Sequence, residues 1–387
     1  MKSELVTAIS AVARAQWNGL LEPEDSPFVD WDWLYALEKS GCASAETGWA
    51  PHHVLIRANG GELVGACPLY VKTHSMGEFV FDHGWAQAAA RAGLEYFPKL
   101  LVGVPFTPHT GRRLLVRPGA DPEEVGRLLG RALLTLRERN RLSSVHVNFC
   151  LPQEARLLLE MGFLERLGYQ YHWHNEEFRS FEDYLGALKH KRRHAIRKEQ
   201  AELRAQAIDI RIAAGAQIDD GLLRAMFDIY RSTIDKLYWG RQYLNPSFFK
   251  LMRDFKRNLV LVCAYENNEL IAGTFNVQHA GVMYGRYWGC FRERNFLHFN
   301  VCYYAAIEHC IRTGLRRFEP GAGGEYKWLR GFDPALTRSV HYLAHPGLAR
   351  AVGDFLRRER QEVESWITVG QQHGAKKAPP PSNREPD

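Results

Sequence analysis

Short apolar runs, stretches of helical period and small turns alternate along this chain, and their order occurs twice. Residues 54–66 lie without a gap over residues 261–273. In both, an apolar strand meets a turn of Asn and Gly and a second strand opens, on Glu62-Leu63-Val64 or Glu269-Leu270-Ile271. Two such runs around a short Asn/Gly turn predict a β-hairpin. Further on, apolar positions at helical spacing predict amphipathic helices over 124–140 and 301–314. Each helix leads into a short strand, 144–149 or 315–319. A Gly-Phe pair follows, Gly162-Phe163 or Gly331-Phe332, and then a closing strand, 169–173 or 339–343. The recurrence of the whole series predicts a duplicated folding unit.

The first unit is expected over 26–175 and the second over 176–368. Residues 1–25 read as an N-terminal helix with Leu5, Ile9, Val12 and Trp17 on one face. Lys2 and Ala13-Arg14-Ala15 imitate a signal peptide, but Glu4, Thr7 and Ser10 interrupt the apolar stretch. Ser26-Pro27 and Asp30 announce a helix over 31–40. A helical stretch over 181–206, with Leu185, Leu188, Ile196 and Leu203 at helical period, enters the second unit. A strand over 208–212 and helices over 219–237, 246–257 and 348–367 complete it. The tail 369–387, rich in Lys, Pro, Ser and Asn, is expected to be disordered. Strands alternating with helices place the chain in the α/β class, with mixed sheets flanked by helices.

Charge adds one local feature. Lys189, Lys191, Arg192, Arg193, Arg197 and Lys198 supply six cations in a stretch without an acid, and the formal net charge of the 387 residues is also +6. Elsewhere bases balance the 44 acids. The pattern fits a phosphate-bearing partner at one place rather than a surface that coats nucleic acid. With 45% hydrophobic and 24% charged residues the composition is that of a globular protein, and no apolar run reaches the roughly 18–20 residues of a membrane span. Seven scattered cysteines without a C-x-x-C pattern argue against a disulfide framework or a zinc site, so a reducing cytoplasm is the expected location.

The densest candidate site is the run 318–332. It follows a predicted core strand, and Gly321, Gly323 and Gly324 let backbone amides approach a ligand. Glu319, Glu325, Tyr326, Lys327 and Arg330 stand within it, at a strand's carboxyl end, where α/β sheets tend to bind ligands. A glycine-rich turn with solvated charges is the plain alternative. No Gly-Lys-(Ser/Thr) or G-x-G-x-x-G phosphate signature is present. A second cluster joins Tyr284, Arg286 and Trp288, which strand alternation puts on one face, with His298 and Tyr303. In the first unit Asp82 and Trp85, and the basic loop 107–113 with Thr107, are groove candidates or ordinary turn chemistry. His172 with His174, and His341 with His345, lack the partners a metal site needs, so no metal is expected.

This order of hairpin, helix, strand, Gly-Phe and closing strand resembles the GNAT acyltransferase unit. Its tandem form resembles the FemABX-like aminoacyl transferases and the related FemAB-like group, described as peptidoglycan biosynthesis or recognition proteins. The resemblance runs from about Ser26 to Leu343 and is most specific in five places. These are Ser26-Pro27-Phe28, Phe81-Asp82, Pro98-Lys99-Leu100-Leu101 with Val104-Pro105-Phe106-Thr107-Pro108, His298-Phe299 with Cys302-Tyr303-Tyr304, and Phe318-Glu319-Pro320-Gly321-Ala322 through Arg330-Gly331-Phe332. The resemblance implies two tandem GNAT-like acyltransferase units, an active-site lysine at Lys327, and a basic entry segment at 188–198. GNAT enzymes that use acetyl-CoA carry a glycine loop before the main helix, whose amides hold the pyrophosphate. Residues 292–298 occupy that place without a glycine. The missing glycine disfavours CoA and favours a donor such as aminoacyl-tRNA, although the family's long coiled-coil arm is reduced here to 181–206 at most.

The expected reaction is acyl transfer to an amine such as a peptidoglycan precursor, with the acyl donor as co-substrate and no tightly bound cofactor. Glu325 or Glu319 would act as base. Lys327, with the amides of Gly323 and Gly324, would stabilise the oxyanion. Lys191, Arg192, Arg193 and Arg197 would meet the donor's phosphates. Asp82, Trp85, Thr107, Tyr284, Arg286, Trp288, His298, Tyr303 and Arg330 would line the substrate groove. Two rivals remain: an acyl-CoA-dependent N-acyltransferase acting on a small amine or amino acid, and a non-catalytic binder of peptidoglycan precursor.

Overall fold

A computed structural model of the chain describes residues 1–236 and 241–377. Its strands are β1 (Lys2–Val6), β2 (Trp49–Pro51), β3 (His53–Arg57), β4 (Leu63–Cys67), β5 (Leu69–Lys72), β6 (Lys99–Val102), β7 (Leu115–Val116) and β8 (Ser144–Val147). They continue with β9 (Leu164–His174), β10 (Ile208–Ala214), β11 (Leu259–Glu266), β12 (Glu269–His279), β13 (Val282–Cys290), β14 (Arg317–Glu319) and β15 (Asp333–Leu343). A 4-stranded sheet has the order β1-β3-β4-β7. An 11-stranded mixed sheet has the order β10-β11-β12-β13-β14-β9-β15-β8-β6-β5-β2.

Both predicted hairpins form: β3 pairs with β4, and β11 with β12. Asn267 and Asn268, at φ of 52° and 64°, make a two-residue turn whose twist matches that of the strands it joins. Each copy also has one parallel pair, β6 beside β8 and β13 beside β14. A parallel pair needs a long crossover. The predicted amphipathic helices supply it, Pro122–Arg139 in the first copy and residues 297–312 in the second.

The closing strands do something the periodicity does not reveal. β9, from the first copy, lies between β14 and β15 of the second, and β15 lies between β9 and β8. Each copy thus gives a strand to the other, and the two halves share one continuous sheet. The apolar core is joined as well, since the Trp33 ring lies 5.4 Å from both Phe248 and Phe255. Helix Asp220–Lys236 lies directly on β13. A Cβ at Gly289 would sit 1.8 Å from the Ile229 carbonyl, so this contact requires glycine.

Four local expectations are corrected. Residues 1–25 are not one helix, because the free edge of β3 takes up Lys2–Val6 as a strand, followed by a short turn and helix Arg14–Asn18. The stretch 181–206 is two helices, Phe181–Ala187 and His190–Ala205. They are separated at Leu188, whose backbone is extended and bridges to Lys376. The last helix is longer than expected, Pro346–His373, so part of the expected tail is helical. Residues 374–377 then return against the basic helix, with Lys189 N–H donating to the Ala375 carbonyl at 2.9 Å. The remainder of the expected tail, 378–387, lies outside the described residues.

Candidate functional site

β13 and β14 run side by side only from Val282 to Tyr284 against Arg317 to Glu319. Beyond that point β13 carries a bulge. Gly285 pairs with Asn276 and Tyr287 with Phe275, which leaves Arg286 without a partner on β12. A bulge bends its strand and re-aims a side chain. Beside it opens a cleft of about 170 Å³ lined by Arg286, Trp288, His298, Tyr303, Tyr326 and Lys327. Thr274, Asn276 and Cys302 complete the lining that matters here.

Lys327 is delivered by the glycine run. Gly321, Gly323 and Gly324 take φ of 86°, 71° and 84°, and the turn closes into a short 3-10 helix, Glu325–Arg330. Positive φ at three places in four residues is tolerated without strain only by glycine. The Lys327 side chain is 2% exposed, and its Nζ donates to the carbonyls of Gly321 at 2.7 Å and Ala322 at 3.3 Å. Among the described residues no carboxylate pairs with it. Burial therefore lowers its pKa to about 8. An ammonium with three donors and two carbonyl partners keeps one N–H for a ligand.

Helix 297–312 forms the opposite wall. Its first turns widen into a π-helical segment, Asn300–Tyr304, a distortion frequent at functional sites. The His298 ring sits 5.2 Å from Trp288, 5.5 Å from Tyr303 and 5.9 Å from Tyr326. Burial first, then Arg330 and Lys327, lower its pKa to about 4, so it is a neutral imidazole at pH 7.

Several predicted residues are placed elsewhere. Because of the bulge, Tyr284 does not share a face with Trp288; it packs between Phe28 and His109, at 5.2 and 5.1 Å. Glu319 is buried outside the cleft lining, accepting from Arg317 at 2.8 Å and His109 at 3.1 Å. Burial alone would raise its pKa, but the two nearby histidines and Arg317 hold it at about 2, so it is a poor proton acceptor. The side chain of Glu325, the other candidate base, lies outside the described residues. Arg330 spends its guanidinium on protein: Nε on Tyr304 at 2.7 Å, Nη1 on the Tyr326 carbonyl at 3.1 Å, and Nη2 on both Glu199 oxygens at 2.9 and 3.0 Å. It also stacks 3.5 Å from the Phe299 ring centre. Arg330 therefore ties the Lys327 turn to the basic helix rather than lining the groove.

Asp82 and Trp85 are not groove residues either. Asp82 is buried with Lys99 and accepts from Tyr96 at 2.6 Å. Burial opposes its ionisation, but Lys99 holds its pKa well below the carboxylate range. Trp85 is covered by His341 at 4.9 Å and Arg166 at 5.1 Å. Thr107 does reach the site, since Arg286 Nη2 donates to its hydroxyl at 3.2 Å and to the Phe106 carbonyl. In the first copy, past the ends of β6 and β8, the buried Arg113 donates to the Asn148 and His109 carbonyls at 2.8 and 2.6 Å, so protein fills the corresponding place.

The basic helix His190–Ala205 contacts the Lys327 segment. Arg197 pairs with Glu182 at 2.5 Å. Lys191, Arg192 and Arg193 have no acidic partner among the described residues, and no acid stands in the helix's first turn. Cations at the positive end of a helix dipole are unfavourable locally. Glu199, which the motif reading passed over, had a signal: it lies on the same face as the buried Ile196 and Leu203. Arg292 and Arg294, in the glycine-free loop, are neutralised by Glu266 and Glu269.

The FemAB-like family model, described as peptidoglycan biosynthesis/recognition, matches residues 8–378. No curated protein sequence matches. A crystal structure of FemX is similar at a TM-score of 0.54 and 11% identity, covering 91% of this chain and 100% of that one. The C-terminal domain of a putative lysylphosphatidylglycerol synthetase from Agrobacterium fabrum is similar at 0.52 and 8%, covering 88% and 94%. L-PGS from Bacillus licheniformis is similar at 0.50 and 8%, covering 83% and 95%. These likenesses are of fold, and the fold is a tandem pair of GNAT-like units with mixed sheets.

Proposed function

Because the chain belongs to the FemAB-like peptidoglycan biosynthesis/recognition family, we propose that it is an acyltransferase that moves an acyl group from a phosphate-bearing donor to an amine. The observation that carries this reading is the buried Lys327, aimed into the cleft where β13 and β14 part. When an amine attacks an ester, negative charge develops on the carbonyl oxygen. A positioned donor in a site of low dielectric stabilises that charge most, by roughly 10²–10³ in rate. Lys327 is such a donor in its ammonium form. Neither Glu319 nor neutral His298 suits strong base duty, so we assign the amine's proton loss to solvent or to Glu325.

Aminoacyl-tRNA is the donor class the charge pattern favours, with a peptidoglycan precursor as the family-implied acceptor. Lys191, Arg192 and Arg193, without an acidic partner among the described residues, stand on the helix that Glu199 and Arg330 tie to the Lys327 turn. A CoA donor is disfavoured by the absence of glycine in 292–298 and by the pairing of Arg292 and Arg294.

The test is to incubate the protein with a pool of charged tRNAs and follow loss of the aminoacyl ester, with acetyl-CoA and long-chain acyl-CoA in parallel. Protein-dependent ester loss is expected. Thioester consumption with silent tRNA would move the protein to the acyl-CoA class. Replacing Arg192 and Arg193 by Ala should weaken tRNA binding and flatten its salt dependence, by roughly 0.7–0.9 in log–log slope for each phosphate no longer neutralised. An unchanged slope in a filter-binding titration would remove this helix from donor binding. The rate should also fall as pH rises through about 8, because the folded pKa of Lys327 lies there and only its protonated form serves the oxyanion. A pH profile still rising at pH 9 would reverse that assignment.

A further inference from the structure

The cleft has a second cation, Arg286, which is half-buried and rests 5.1 Å from the Phe28 and Tyr287 ring centres but has no carboxylate beside it among the described residues. Of its nitrogens only Nη2 has partners there: the Phe106 carbonyl, Thr107 Oγ1 at 3.2 Å and Tyr287 Oη at 3.2 Å. Its Nε is buried with no partner. Among the described residues no Asp or Glu lines the cleft, whereas Lys327 and Arg286 both do. Thr274 and Asn276 add neutral polar groups, and Asn276 is turned onto the Val260 carbonyl at 3.0 Å and Thr274 at 2.8 Å. Two cations in a partly desolvated pocket, with no acid among the described lining residues, favour the arrival of an anion.

We propose that Arg286 is the residue that selects the acceptor, by anchoring a carboxylate on it. The idea rests on the acyl-transfer reading for its word "acceptor" but not for the binding itself. Three features favour it. Nη1, which has no protein partner among the described residues, can donate one charge-assisted hydrogen bond to a carboxylate. The cleft, at about 170 Å³, accommodates a group of amino-acid size. The positive field disfavours a protonated amine, so a bound amino group sheds its proton more readily beside Lys327.

The anchor is also built from both copies. Arg286 comes from the bulge of β13, but the carbonyl of Phe106 and the hydroxyl of Thr107, which aim it, belong to the first copy's loop. That loop thereby acquires a role in substrate choice, although Arg113 fills the corresponding place in the first copy itself.

The experiment is calorimetric titration of the whole protein with glycylglycine, with glycylglycinamide and with inorganic phosphate. The acid is expected to bind about tenfold tighter than the amide, the size of one charge-assisted hydrogen bond. Arg286→Gln should erase the difference, and Thr107→Val, which removes one aiming contact, should reduce it. The Thr107 variant serves if Arg286→Gln does not fold. Equal affinity of acid and amide, or no binding of the acid, overturns the proposal. Phosphate binding as tight as the dipeptide, and competing with it, overturns it in favour of a phosphate anchor. None of these readings needs turnover: loss of acid selectivity alongside tRNA discharge sinks the anchor alone, and selectivity without discharge sinks the donor assignment alone.

Discussion

Lys327→Ala is expected to lower single-turnover acyl transfer by roughly 10²–10³ while the protein remains folded. The loss arises because the buried cation that the glycine turn aims into the cleft is removed, and water replacing it is neither charged nor fixed. The fold should persist because the two bonds Lys327 makes are to carbonyls of its own turn, Gly321 and Ala322. Those carbonyls are left beside a cleft that water can enter. Burial already disfavours the ammonium, as its lowered pKa shows, so stability loses little when the charge goes. Lys327→Met keeps the length and apolar stem, and should be as inactive as alanine. Full turnover in a folded Lys327→Met protein would place the chemistry elsewhere.

Lys99→Met should act in the opposite way, with large damage to stability and none aimed at chemistry. Lys99 is completely buried on β6, donating to Glu78 at 2.9 Å, Ser75 at 3.0 Å and Asp82. Lys72, equally buried on β5, stands 4.0 Å from Glu78 and 3.8 Å from the centre of the Trp49 ring. Burial pushes Glu78 up to about 7 and Lys72 down to about 7. Lys99 is thus the cation on which two buried carboxylates depend. Breaking a buried pair from one side costs about 3–5 kcal/mol, because the stranded charge cannot return to water. Denaturant unfolding should show a lowered midpoint of that size. The deficit should shrink as pH falls below about 7, since Glu78, whose folded pKa exceeds its unfolded value, is then protonated and neutral. A variant as stable as the parent at pH 8 would mean that the cluster contributes nothing net.

The duplication, both hairpins, the crossover helices and the glycine turn bearing Lys327 were legible in the chain. They rest on local rules: turn residues that tolerate positive φ, apolar spacing at 2.0 or 3.6 residues, and glycines where no side chain fits. The basic helix was legible for the same reason, as six cations without an acid in one helical stretch. Lys72 and Lys99, in apolar strands, also carried a readable sign of burial in an ionic network, which the motif reading did not take up.

The rest was decided between elements far apart in sequence. Strict alternation placed Tyr284, Arg286 and Trp288 on one face, but a bulge against β12 shifts the register at Arg286, and only the partner strand can show that. Glu319 and Arg330 looked free because two of their partners, His109 and Glu199, are 210 and 131 residues away, even though Arg317 stands close to Glu319 in the chain. The exchange of β9 and β15 is likewise invisible to periodicity, since a strand's alternation is the same whichever neighbour it pairs with. Sequence alone therefore determined most of the elements, though not the N-terminal strand or the break at Leu188, and which residue types reach the end of β14. Tertiary structure determined which charges are neutralised by protein and which, at Lys327, Arg286 and the start of the basic helix, have no acidic partner among the described residues. The physical reason is that propensity and periodicity are set by neighbours along the chain, whereas the free energy of a charge is set by whatever lies within a few ångströms of it in space.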